Sequence, residues 1–230
     1  MTRVVAIDTS TWWGGLALVE TDNGAPRTVA EIGVEVRDSH ASHLFEWLEV
    51  LLREAGWSRD DVDGYVAVRG PGRFTGVRVA LGTVRGFSLA TERPAVGVDS
   101  LDAMVEAYGP ADRERVGLLG AGRGEVYGAR YDPGSSPALR LREPWLGPPR
   151  QALESGGGGV VILCGAGSEG LVASLPGGVE PFRAVTAPRA TAAAAGRLAL
   201  LRGLGETPAG DGLAPLYIRP PDAELKQKRS

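Results

Sequence analysis

Residues 64–97 read GYVAVRGPGRFTGVRVALGTVRGFSLATERPAVG, and their order of strand, glycine loop, helix and strand decides the fold. Residues 64–68 form a short apolar run of β-branched and aromatic side chains, as a buried strand requires. Gly70, Pro71, Gly72 and Gly76 interrupt it. Glycine tolerates positive φ and lets other backbone approach closely, so a tight strand-to-helix loop is expected. Thr75 is the expected N-cap of a helix that runs to about Thr91. Pro94 forbids helix beyond Arg93, and Val96 and Val98 open the next strand.

The helix carries small residues on one side. Gly82, Gly86 and Ala90 fall four apart, and Gly76 and Ala80 make a similar pair a turn away. A helical glycine costs roughly 1 kcal/mol against alanine, so several together imply that another backbone packs close. That neighbour is either the chain's own sheet or a partner, and the sequence leaves both open. Arg78 and Arg85 interrupt the segment, which excludes a membrane span. The loop GPGRFTG is neither a Walker A loop, because no Gly-Lys-Ser/Thr follows, nor the dinucleotide fingerprint, because its third glycine is one residue late. A structural turn is the reading favoured over phosphate binding.

Outward from this stretch, residues 4–8, 16–20 and 28–36 read as strands, with a turn over Thr9, Ser10, Thr11, Gly14 and Gly15 and another at Asn23-Gly24. A helix over about 40–55, capped by Asp38 or Ser39, places Leu44, Leu48, Leu51, Leu52 and Ala55 on one face and ends at Gly56. A helix over about 101–108 follows Asp99 and Ser100. Three hairpin-joined strands followed by helix crossovers make a mixed α/β sheet. Farther on, residues 116–119, 126–131, 139–142 and 160–164 look like strands, the alanine-rich 191–202 is a helix, 156–159 is a glycine insert and 222–230 is a polar tail.

The chain has 230 residues, with 28 acidic and 25 basic side chains and a net charge of −3, without the basic surplus of a protein that grips nucleic acid by itself. Cys164 is the only cysteine, so no internal disulfide forms and a buried inert thiol is expected. The start MTRVVAIDTS lacks a signal-peptide pattern and no run reaches membrane-span length, which makes a cytoplasmic, membrane-free protein the expectation.

RGPGRFTGVRVALGTVRGFS (69–88), the opening VVAIDTST (4–11) and the later RGEVY (123–127) closely resemble the TsaB (YeaZ-like) family, a subunit of the bacterial machinery that makes threonylcarbamoyladenosine at position 37 of tRNA. The resemblance implies two tandem ribonuclease H-like halves of the actin-like ATPase fold, residues 1–108 and 109–221, the second degenerate. It also implies a partner subunit that is non-catalytic by itself, pairing with the homologous catalytic subunit TsaD, working with the ATPase subunit TsaE, and meeting tRNA only through the complex. A homodimer is expected of the isolated chain. The expected interface is Leu44 and Leu48 on one helix with Gly76, Val79, Gly82, Thr83 and Gly86 on the next. An ATP-dependent phosphotransferase is the alternative.

In actin-like ATPases the first hairpin turn carries an aspartate near magnesium, a glycine and a hydroxyl residue. Asp8, Ser10 and Thr11 stand there, but Ser10 replaces the glycine, and Trp12 and Trp13 are bulky. No cofactor is expected, with weak ATP or ADP binding and residual ATP hydrolysis left open against Asp8 hydrogen-bonding its own turn. His40 and His43 lie three apart without further ligands, so no metal is expected. Arg123, Glu125 and Tyr127 alternate on an expected strand and so face one side, as a salt-bridged face or as the lining of a cleft between the halves.

Overall fold

Strand β1 (Arg3–Asp8) is apolar on both faces, and both faces are covered. Val5 and Ile7 point to one side and Val4 and Ala6 to the other, each at most 1% exposed. The computed structural model describes residues 1–36, 43–152, 160–164, 183–186, 190–204 and 211–219. β1 is central in a five-stranded sheet with β2 (Trp13–Asp22), β3 (Ala25–Glu35), β4 (Gly64–Val68) and β5 (Ala95–Val98), in the order β3-β2-β1-β4-β5. β1 pairs antiparallel with β2 and parallel with β4, and β4 runs parallel with β5. A second sheet contains β6 (Arg115–Gly122), β7 (Glu125–Tyr131), β8 (Arg140–Gly147), β9 (Val160–Cys164) and β10 (Arg183–Thr186), in the order β10-β9-β6-β7-β8. Read from β8, this repeats the first sheet: two antiparallel pairings, then two parallel ones.

Helices α1 (Leu44–Ala55) and α2 (Phe74–Thr91) cover the Val5–Ile7 face, where Leu51, Leu52, Val77 and Val84 join Leu16, Leu18 and Tyr65 in one core. The other face is covered by α4 (Ala192–Arg202), whose alanines bring the helix close to Val4, Ala6, Val19 and Val66. Burying each valine or leucine here contributes roughly 1.5–3 kcal/mol. Helix α3 (Ser100–Tyr108) follows the first sheet in sequence but packs Leu101, Met104 and Val105 against Tyr127, Ala129 and Tyr131 of the second. Thus α3 and α4 are exchanged: each leaves one sheet and covers the other. A division at residue 108 separates the strands of the two sheets but not their packing.

Several sequence expectations change. Gly14 and Gly15 belong to β2, not to the preceding turn, because they pair with Val34 and Gly33 of β3. Helix α2 starts at Phe74 with Arg73 as its N-cap, so Thr75 lies inside the first turn. Arg73 is held extended because its N–H donates to the Ser10 carbonyl at 2.7 Å. Helix α1 begins at Leu44 behind His43, and Gly56 ends it at φ 67°. The caps Asp38 and Ser39, His40, the glycine insert 156–159 and the tail 222–230 lie outside the described residues. β8 runs on to Gly147 through Pro144, which an edge strand tolerates. β10 went unforeseen, being four residues long with Pro181 just upstream in the sequence.

Candidate functional site

The turn after β1 is where the first sheet, the glycine loop and the second sheet meet. Asp8, 4% exposed, accepts the Ser10 N–H at 2.8 Å through Oδ1 and the Thr191 hydroxyl through Oδ2. Thr191 is the N-cap of α4, so the carboxylate ties the turn to the helix behind the sheet. Thr9 donates its hydroxyl to the Gly76 carbonyl at 2.7 Å. A Cβ would lie 1.8 Å from the Thr9 carbonyl oxygen at Gly76 and 2.4 Å from that of Ser10 at Gly72. Those two glycines are therefore required by close approach within the chain. Thr11 Oγ1 bridges the backbone of Trp13, at 3.0 Å to both N–H and carbonyl.

Beside this turn is a cleft of about 90 Å³, lined by Ser10, Thr11, Trp12, Gly72, Arg73 and β6. The Arg73 guanidinium lies 3.3 Å from the centre of the Trp12 ring, and burial lowers its pKa from the ordinary arginine value. The described residues at this turn leave little room for a nucleotide. Both Asp8 oxygens serve the fold, and the cleft falls well short of the roughly 300 Å³ at which ligand pockets begin.

The α1–α2 face divides in two. Leu44 is 2% exposed and Gly76 is buried, so neither can be offered to a partner. Leu48, Val79 and Thr83 are half-buried, with Leu48 and Val79 packed against the core. Gly82 and Gly86 are exposed, and a Cβ at either would meet nothing within 4 Å. Their small size answers to no neighbour in the described chain. Beside them Phe45 is 62% and Leu89 68% exposed. A groove of about 210 Å³ opens between the helices, lined by Phe45, Leu48, Leu52, Tyr65, Phe87 and Ala90 among others. Phe87 meets Phe45 edge-on at 5.7 Å and lies 5.4 Å from Tyr65.

Residues 33–139 match the family described as TsaD: tRNA N6-adenosine threonylcarbamoyltransferase. The tRNA threonylcarbamoyladenosine biosynthesis protein TsaB of Escherichia coli is 33% identical over 131 residues, 56% of this chain and 54% of that protein. An uncharacterised protein of Mycobacterium tuberculosis is 31% identical over 186 residues, 81% of this chain and 78% of its own length. The solved structure of YeaZ from Pseudomonas aeruginosa superposes with a TM-score of 0.75 at 27% identity, covering 94% of this chain and all of that one (100%). The chain belongs to the TsaB (YeaZ) family. Its match spans about half the length of the TsaB protein of Escherichia coli, 54%.

The third constellation of this TsaB-family chain is not one face. Arg123 sits in the β6–β7 turn at φ 57°, outside β7, so only Glu125 and Tyr127 share a side. Glu125 pairs with Arg219. Tyr127 is buried against Leu101 and Met104 of α3, and burial raises its pKa above the ordinary tyrosine value. His43 stacks on Trp47 at 5.6 Å, while its sequence neighbour in the histidine pair, His40, lies outside the described residues.

Sequence reasoning missed the polar contacts that join the sheets. Asp99 accepts Arg69 and Arg140, both at 2.6 Å. Asp102 accepts Arg140, Arg202 at 3.0 Å and the Tyr131 hydroxyl at 2.7 Å. Burial works against the Arg140 charge, but Asp102, Tyr131 and the hydrogen bonds to both aspartates hold it above the ordinary arginine range. These partners are tens of residues apart in sequence and leave no local pattern. The acids at the start of α3, Asp99 and Asp102, were the one available signal.

Proposed function

We propose that this chain is the non-catalytic partner subunit of the tRNA adenosine-37 N6-threonylcarbamoyltransferase machinery, binding the homologous catalytic subunit TsaD through α1 and α2. The observation that carries this reading is the open glycine pair: Gly82 and Gly86 face solvent with room for another backbone, flanked by exposed Phe45 and Leu89. Small helical residues with apolar neighbours let helices approach closely, and residues of that kind with no neighbour in the described chain mark a surface for another molecule. The likeness of this chain to the TsaD family and the TsaB name of its relatives support reading that molecule as the homologous TsaD.

We read the two sheets of equal strand order as two ribonuclease H-like halves of an actin-like ATPase fold, the second degenerate and followed by a polar tail, in a cytoplasmic protein. The commitment of Asp8 to Ser10 and Thr191, and of Arg73 to Trp12, supports the absence of nucleotide turnover by this chain alone. In the assembly the ATPase subunit TsaE acts with TsaD, and the isolated chain forms a homodimer through the same face. Glu125 and Tyr127 serve the joint between α3, β7 and the C-terminal segment in this reading, not a substrate cleft.

Sedimentation of the chain mixed with TsaD tests the proposal. The wild type is expected to form a heterodimer, and Gly86→Leu to sediment as separate subunits while melting like the wild type. Assembly undiminished in Gly86→Leu would remove this face from the interface.

A further inference from the structure

The C-terminal segment around residues 211–219 crosses the molecule beside the first turn of α2. Leu213 is 1% exposed in the first core, and the Leu216 N–H donates to the Arg69 carbonyl at 2.8 Å. This anchoring holds Tyr217 against Phe74, with ring centres 5.3 Å apart and planes at 26°. The Arg78 guanidinium lies 3.8 Å from the centre of the Phe74 ring, and its Nε donates to the Tyr217 hydroxyl at 3.0 Å. Adjacent in sequence, Arg73 lies on Trp12. Two groups of planar side chains, Trp12 with Arg73 and Phe74 with Arg78 and Tyr217, thus lie on consecutive residues at the start of α2. Together they are called the ledge, with Trp12 39% and Phe74 40% exposed.

The charge of this ledge is unbalanced. Arg69, Arg140, Arg202 and Arg219 all reach carboxylates. Among the described residues neither Arg73 nor Arg78 has an ion-pair partner. Within the described residues of a chain with net charge −3, this end of α2 therefore carries two arginines without carboxylate partners among flat, partly exposed groups. Charge alone would suit an acidic peptide as well. Flat guanidinium and aromatic planes together suit stacked bases with flanking phosphates.

We infer that this ledge binds a single-stranded segment of RNA directly, so that this chain touches the RNA itself as well as through a partner. The inference takes from the proposed function that RNA is what the assembly acts on, but its test needs no partner subunit. Fluorescence anisotropy of a labelled single-stranded RNA oligonucleotide of mixed sequence, titrated with the purified full chain at several salt concentrations, reads it. The wild type is expected to bind at low salt and to weaken as salt rises. Phe74→Ala should lower affinity roughly tenfold with the salt slope unchanged. Arg78→Gln should reduce the slope of log affinity against log salt by about 0.7. The thermal melt of Arg78→Gln should stay near the wild type and that of Phe74→Ala should fall modestly, because its ring packs on Tyr217, with both variants fully folded at the temperature of the titration. No binding by the wild type at low salt, or equal binding by both variants, would overturn the inference. Displacement of the RNA by polyglutamate as readily as by unlabelled RNA would also overturn it, in favour of an acidic protein partner. Loss of TsaD assembly in Gly86→Leu with RNA binding intact would separate this surface from the subunit interface.

Discussion

A Cβ added at Gly76 would sit 1.8 Å from the Thr9 carbonyl oxygen, whereas one added at Gly86, farther along the same helix, would meet nothing within 4 Å. In sequence the two positions belong to one small-residue pattern. In the structure the first is a joint within the chain, where helix backbone meets the β1–β2 turn and Thr9 donates to the Gly76 carbonyl. The second is a helical glycine in open space, bearing its propensity cost with no contact in the described chain to offset it. The contrast teaches that small size alone does not say whether a neighbour is internal or external; the available room does.

The comparison breaks most readily at its buried end. Gly76→Ala forces a methyl group into a backbone carbonyl that cannot rotate away, so the helix or the turn must shift. The expected loss is about 3 kcal/mol or more, read by urea denaturation, with a variant that fails to fold as the extreme. A melt within about 1 kcal/mol of the wild type would show that the turn yields easily and that the joint is not rigid.

A smaller effect is expected where the sheets are joined by charge. Arg140→Ala leaves Asp99 and Asp102, both buried, with one arginine fewer each. Removing one member of a buried pair typically costs about 3–5 kcal/mol; because Arg69, Arg202 and Tyr131 stay in place, about 2 kcal/mol is expected here. Denaturation of Arg140→Ala beside Arg140→Lys measures it. An unchanged midpoint for the alanine variant would mean that Arg69 and Arg202 suffice to hold α3 against both sheets.

Much of the fold was legible because its signals are local. The apolar runs at β1, β4 and β9, the Gly56 stop of α1 and the proline after α2 are each written within a few residues. What was illegible depends on distant partners. Gly14 and Gly15 look like a turn until β3 is placed beside them. Arg123 looks like strand until β6 and β7 close a hairpin around it. The exchange of α3 and α4 between sheets follows from packing that no periodicity records. At the proposed interface, the residue pattern was legible, but its division into buried Leu44 and Gly76 and open Gly82 and Gly86 was not. The pairing of Asp8 with Thr191 spans most of the chain.

The smallest predicted effect tests the open end of α2 with the least perturbation. Gly86→Ala adds one methyl group into open space on an exposed helix interior, where φ and ψ already suit alanine. By helix propensity and by loss of unfolded-state freedom, the isolated chain should gain about 0.5–1 kcal/mol, seen as a higher urea midpoint. If the face meets another backbone closely, the same methyl group should weaken association with TsaD or with a second copy, because helices must separate to admit it. Stability and affinity should therefore move in opposite directions in a single variant. A general effect on folding would move both the same way, and a surface with no close partner would show the gain in stability with affinity unchanged. Sedimentation equilibrium of the wild type and Gly86→Ala at matched concentrations, beside their urea curves, reads both quantities on the same protein. A stabilised variant that assembles as tightly as the wild type would reduce Gly86 to an uncorrected weakness in the helix and leave Phe45 and the groove beside it to carry the interface.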